Sequence, residues 1–255
     1  MGKPDAERTF REVMTGDLAA PATPFARASR DFVFGDVWSR PGLSRHDRRL
    51  VTLACVAAAG SPGPMEEQVH AALNSGDLDL ATMLELVLHF AVYCGWPKGS
   101  ELERVIGEQS ARIARENGRE PEPWPVLPND GLGENDWEKR LERGEEVFKE
   151  INLLPGAPPR TSPYRQAGVL GFVFGHLWLR PGLTRRDRRI LSISCVGTTG
   201  APTPIRMHVT TALRSGDLTK QELDEIVLQF AAYAGFATGA VLDEAVEAAS
   251  ATTPA

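Results

Sequence analysis

Cysteine is scarce in this chain: there are three among 255 residues, Cys55, Cys94 and Cys195, and none stands in a C-x-x-C or zinc-ligand spacing. That excludes a disulfide-stapled secreted scaffold and a structural zinc module. Long apolar runs are also lacking. The longest, Leu50 to Ala59, falls well short of the roughly 20 residues that cross a bilayer, so no membrane association is expected. Positive charge is not in excess, with 28 Lys and Arg against 34 Asp and Glu and a net charge of −6. A face able to neutralise a run of phosphates is therefore not expected, nor is nucleic acid as a partner. Met1 to Phe10 is polar and charged where an export signal needs an apolar centre, and the expected compartment is the cytoplasm. No segment shows convincing strand alternation.

What is present is an ordinary globular composition, 42% hydrophobic and 24% charged, arranged as a repeat. Phe32-Val-Phe-Gly-Asp-Val-Trp-Ser-Arg-Pro-Gly-Leu43 recurs as Phe172-Val-Phe-Gly-His-Leu-Trp-Leu-Arg-Pro-Gly-Leu183, 140 residues later. From Phe32/Phe172 to Gly99/Gly239 the register holds without a gap, and 33 of 68 pairs are identical. Two copies do not make a solenoid, so each should bury an apolar face against the other or against another subunit. A Pro- and Gly-rich linker at 118–133 divides repeat 1, residues 1–117, from repeat 2, residues 134–255.

The pattern reads as helix throughout. Ser44-Arg-His-Asp47 and Thr184-Arg-Arg-Asp187 resemble capping boxes that open an apolar, buried helix, and core helices are predicted near 44–60, 64–75 and 79–94 and again 140 residues later. Ala6 to Val13 and Asp136 to Ile151 read as an upstream helix in each copy.

Several polar side chains fall on these elements. His208 lies with Ile205, Val209 and Ala212 on an apolar helix face, and its counterpart is Gln68. Such a histidine is either a satisfied core residue or a proton-transfer group that titrates near neutral pH. Glu85 and His89 share one face of the third helix, as do Glu225 and Gln229 in the copy; the glutamates are either ion-pair partners of Arg48 or Arg188, or acid/base groups. Arg40 and Arg180, before Pro-Gly-Leu, either bond carbonyls at a helix end or clamp a substrate carboxylate. Trp38 and Trp178 read as packing more than as substrate platforms. Cys55 and Cys195 sit at equivalent buried positions, where a thiol acts as a small hydrophobe.

Phe34-Gly-Asp-Val-Trp-Ser-Arg-Pro-Gly-Leu43, Asp47-Arg-Arg-Leu-Val-Thr-Leu-Ala54, Ala71-Ala-Leu-Asn74 and Glu85-Leu-Val-Leu-His-Phe-Ala-Val-Tyr-Cys-Gly95, with Thr23-Pro-Phe25 upstream, resemble the carboxymuconolactone decarboxylase family. Both repeats do so. The resemblance implies an all-α fold of two tandem alkyl hydroperoxidase D-like helical bundles, assembled into a homo-oligomer, most simply a trimer. It also implies cofactor-free and metal-free loss of CO2 from a small unsaturated carboxylated lactone. The thiol peroxidases of the same fold resemble C-x-x-C-x-x-x-H, but here Ser61 and Pro64, and again Ala201 and Pro204, stand at the cysteine positions.

On that resemblance His208 is the expected proton donor, Arg180 or Arg188 orients the carboxylate or stabilises the enolate, and Glu225 fixes the histidine or arginine. His89, Glu85, Arg40 and Asp36 form the corresponding first-half set, with His176, Gln68, Gln229, Trp38 and Trp178 completing the substrate surface. Asp36 and His176 both depart from the glutamate that decarboxylase members often carry there. An isomerase or cyclase on another small polar substrate, or a binding scaffold, remains open at this stage. His208, Glu225 and an arginine clustered around a cavity would favour an enzyme.

Overall fold

The computed structural model describes residues 5–127 and 135–252. Residues 128–133 of the expected linker lie outside that set, as do the ends of the chain. Among the described residues every regular element is helical.

In repeat 1, α1 (Ala6–Met14) and the short α2 (Pro24–Ala28) lead into a π-helical segment, Ser29–Val37, followed by α3 (Arg45–Ala59), α4 (Pro62–Asn74), α5 (Leu80–Cys94) and α6 (Trp96–Glu116). Repeat 2 has α7 (Trp137–Asn152), a π-helical segment Tyr164–Phe174, a 3₁₀ turn Leu177–Leu179, then α8 (Arg185–Thr199), α9 (Pro202–Arg214), α10 (Lys220–Ala234) and α11 (Phe236–Thr252). The three core helices of each repeat fall where the sequence puts them. The reasons are local: Ser44 accepts from Asp47 N, Thr184 and Asp187 form a full capping box, and Gly60 and Gly200 close α3 and α8 at φ +65°. Of these two starts Thr184 has the full box, while Asp47 turns instead to Arg186 of the other repeat at 3.0 Å.

Two features were not legible in the pattern. Pro97, which reads as a stop for α5, also occupies the first turn of α6, where its missing N–H costs nothing. The π-helical segments, longer than the single-turn bulges usual for this geometry, carry the repeated Phe-Val-Phe motif. α7 approaches the second of them so closely that a Cβ on Gly144 would meet the Leu170 carbonyl oxygen at 2.1 Å.

The repeats share one core. Leu50, Leu53 and Phe90 pack in the same apolar cluster as Ile190, Ile193 and Phe230. α3 lies against α8, α5 of repeat 1 packs on α8, and α10 of repeat 2 packs on α3. This crossed arrangement brings polar side chains of one repeat onto helices of the other.

Candidate active site

The loop before each central helix reaches across to the other repeat. Arg180 donates to Glu85 through Nε at 2.9 Å and Nη2 at 2.5 Å, a bidentate contact between side chains 6% and 2% exposed. Arg188 holds the loop through Nη2 to the Arg180 carbonyl at 2.7 Å and lies 4.0 Å from Glu85. Burial lowers Arg188 to about 10, so it remains a cation. Gly182, at φ +92°, is required here, since a Cβ would meet Glu85 Cγ at 2.8 Å. Arg-Pro-Gly-Leu is therefore a docking loop for the other repeat's glutamate.

His89, fully buried in α5, continues the network. Arg188 Nη1 lies 3.3 Å from its Nδ1, and a guanidinium can only donate, so Nδ1 accepts and the proton resides on Nε2, 2.9 Å from Ser192 Oγ. Desolvation, with the nearby Arg188 charge, pushes His89 well below the ordinary histidine range and keeps it neutral. Tyr93, one turn further along α5, has its ring 5.2 Å from His89 and 5.4 Å, edge-on, from His208 of α9. Burial pushes the Tyr93 phenol up to about 12, so it stays protonated.

His208 and Tyr93 open onto a pocket of about 540 Å³. Its walls come from α7, from the second π-helical segment, from α8 and α9, and from the end of α5 with Trp96; Phe148, Tyr164, Phe172 and Phe174 are among its rings. No charged side chain is among its lining residues. His208 is 95% buried by accessibility, and its Nδ1 finds no hydrogen-bond partner among the described residues. Burial, and then the Arg189 charge, lower the imidazole to about 3. The expected titration near neutral pH is thus corrected: the resting ring is neutral, because charging it in this apolar surrounding would be costly.

At the equivalent place in repeat 1 the side chain is bonded on both sides. Arg49 Nη1 donates to Gln68 Oε1 at 3.0 Å and Gln68 Nε2 reaches Met14 Sδ at 3.5 Å. In repeat 2 that bond is absent: Arg189 Nη1, the counterpart of Arg49 Nη1, is unpartnered like His208 Nδ1. Trp38 Nε1 donates to Tyr233 at 2.8 Å, and Gln229 accepts from Arg48 at 3.0 Å and donates to Thr52 at 2.9 Å. Glu225 takes Arg40 and Arg48 and is held below the ordinary carboxylate range; burial raises it, but the two arginines prevail.

One further cluster has metal-ligand chemistry. Ligand atoms of His46, Asp47 and Asp187 lie within 4.8 Å of one another. They are already in crossed ion pairs, His46 with Asp187 at 3.1 Å and Arg186 with Asp47 at 3.0 Å, so a guanidinium stands where a cation would sit.

Residues 23–106 and 163–250 each match the profile of the carboxymuconolactone decarboxylase family. The chain belongs to that family. It is similar to a 4-carboxymuconolactone decarboxylase of Acinetobacter baylyi, 42% identical over 77 residues, which cover 30% of this chain and 57% of that protein. It is also similar to a nitrosuccinic acid decarboxylase of Metarhizium robertsii, 42% identical over 94 residues, covering 34% of this chain and 62% of that protein. The matches span less than two thirds of either relative's length.

Against this family frame, the expected residues regroup. The structure joins Glu85, His89, Arg180, Arg188, His176 and Trp178 in one network that Tyr93 links to His208, with Arg180 Nη1 3.4 Å from His176 Nε2. Glu225, expected to fix His208, belongs instead to the other network with Arg40, Arg48 and Gln229, because each glutamate crosses to the opposite repeat. Arg180 and Arg188, expected to orient a carboxylate, are engaged by Glu85 and do not line the pocket. Asp36 is exposed, away from the expected first-half set.

Sequence reasoning missed Tyr93, Ser192, Arg49 and Arg189, and the aromatic wall. A signal existed for three of them: Tyr93/Tyr233 and Arg49/Arg189 are unchanged between the two copies.

Proposed function

We propose that this chain is a cofactor-free carboxy-lyase of the 4-carboxymuconolactone decarboxylase type. It releases CO2 from a small unsaturated carboxylate or lactone, with His208 as the group that moves the proton. The observation that carries the reading is the buried His208 imidazole, its Nδ1 unpartnered among the described residues, set in the wall of a pocket lined by no charged side chain. Two relatives named as decarboxylases support the reaction class.

The chemistry fits the surroundings. When the carbon–carboxylate bond breaks, its electron pair passes through the conjugated system to a carbonyl oxygen, CO2 leaves, and the resulting enolate takes one proton at carbon. A dry pocket strips water from the carboxylate and strengthens any hydrogen bond aimed at the developing oxyanion. Tyr93 lines the pocket and is kept protonated, with its hydroxyl beside Ser192 and Trp178. An anionic substrate beside His208 offsets the desolvation that keeps the ring neutral, so the histidine takes up a proton on binding and delivers it to carbon. Thiol chemistry has no C-x-x-C pair to use.

The reading includes a cytoplasmic protein that assembles as a homo-oligomer, a trimer in the simplest case. The exposed rings of Phe25 and Phe236 are what such an assembly would cover. No described helix is long and apolar enough to cross a membrane. The reaction is tested by following CO2 release and solvent-deuterium incorporation with a panel of unsaturated carboxylates, including 4-carboxymuconolactone.

A further inference from the structure

Resting on the decarboxylase reading, we infer that the pocket selects an acid with one carboxylate on an aromatic or similarly flat apolar body, in preference to a compact dicarboxylate. The first argument is size. A volume of about 540 Å³ lies in the range of roughly 300–1,000 Å³ that holds drug-sized ligands, and a single five-membered lactone leaves much of it unfilled. The second is surface. Phe148, Tyr164, Phe172, Phe174, Trp96 and Met207 all line the pocket. Trp96 and Phe172 already pair at 5.7 Å and Phe148 with Phe174 at 4.9 Å, presenting ring edges and faces on which a flat ligand stacks.

The third argument is charge. One carboxylate can meet the His208 ring where it lines the pocket, with the charge of Arg189 acting on the same ring from behind. A second carboxylate would find no cation in the lining, because Arg180 and Arg188 are engaged by Glu85. The mouth does not relieve this, since its exposed members Trp96, Tyr164, Thr199 and Met207 carry no charge. An ionised group buried without a partner opposes binding.

Calorimetric titration of the whole chain with cinnamate and with succinate, beside CO2 release from benzoylacetate, nitrosuccinate and 4-carboxymuconolactone, tests this. Cinnamate is expected to bind at least tenfold tighter than succinate. Gly168→Leu should weaken cinnamate at least tenfold, because its Cβ meets no atom nearer than Tyr164 Cδ2 at 3.9 Å and its side chain grows into the pocket. Met207→Trp, at a 39% exposed rim position where folding is not at stake, should do the same. Tighter succinate binding, or cinnamate binding unchanged in both variants, overturns the inference. Faster CO2 release from 4-carboxymuconolactone or nitrosuccinate than from benzoylacetate also overturns it while leaving the decarboxylase standing. Cinnamate bound as expected with no CO2 from any of the acids supports the ligand class and overturns the decarboxylase reading.

Discussion

Glu225 of the second repeat lies between two arginines of the first, 2.7 Å from Arg40 Nε and 2.9 Å from Arg48 Nη2. Its counterpart Glu85 is enclosed by Arg180 and Arg188 of the second repeat. The crossed glutamates make the repeats interdependent, but unequally, because Arg40 is 49% exposed in its side chain and Arg180 only 6%. Glu85→Gln leaves a buried guanidinium without its counter-charge and is expected to cost about 3–5 kcal/mol. Glu225→Gln strips the counter-charge from one buried guanidinium, Arg48, while its other partner Arg40 is solvated, and should cost less than the loss at Glu85, where both arginines are buried. Urea unfolding of the two variants checks the order, and equal losses would contradict it.

His208→Gln copies the residue already present at position 68. If His208 moves the proton, turnover should fall by about 10²- to 10⁴-fold with the unfolding midpoint little changed. The reverse change, Gln68→His, should create no second site, because Arg49 and Met14 stand against that side chain and would engage the imidazole in its place. Steady-state rates of both variants decide it; a gain of activity in Gln68→His would show that the first half is also competent.

Stability should fall on acidification. The folded-state value of His208 lies at about 3, and His89 is also pushed well down, both mainly by burial. Below the unfolded value of about 6.5 the unfolded chain binds protons that the folded chain refuses, so stability is lost as pH falls from there towards 3. Each such histidine contributes up to about 1.4 kcal/mol per pH unit in that window. His46 opposes this, since Asp187 raises it and its contribution is lost as pH rises. His208→Gln should flatten the acid limb of a stability-against-pH curve; an unchanged limb would contradict the buried neutral ring.

How far these features were legible follows from their physical origin. The helices were legible because caps, apolar periodicity and glycine stops are local, and the duplication was legible because Phe32 to Gly99 repeats without a gap. Arg48 and Arg188 were legible as partners of the glutamates, but not that each pair crosses between the repeats, nor that Arg180 and Arg40, 95 and 185 residues away, complete it. A one-dimensional reading joins His208 to Glu225 of its own copy; the crossed packing of α5 on α8 joins it to Tyr93 instead. Histidine charge was misjudged for a related reason: the π-helical aromatic wall that desolvates His208 has no periodic signature of its own.

The cysteines should matter for packing rather than chemistry. Cys55 and Cys195 are buried, with the thiols pushed up, Cys55 chiefly by desolvation and Cys195 chiefly by its contact with Cys94. Cys55→Ala and Cys195→Ala are expected to lower the melting temperature and leave CO2 release within about twofold, as for a small hydrophobe removed from a core. Peroxide turnover that disappears in either variant would contradict this.

The most direct measurement of the central claim is CO2 release in heavy water from the best substrate of the carboxylate panel, run side by side for the native chain and His208→Gln. The account predicts one deuterium at the carbon that lost CO2 and a fall of at least about 100-fold in the variant. Deuterium uptake without CO2 would make the protein an isomerase, and equal CO2 release from both chains would remove His208 from the reaction.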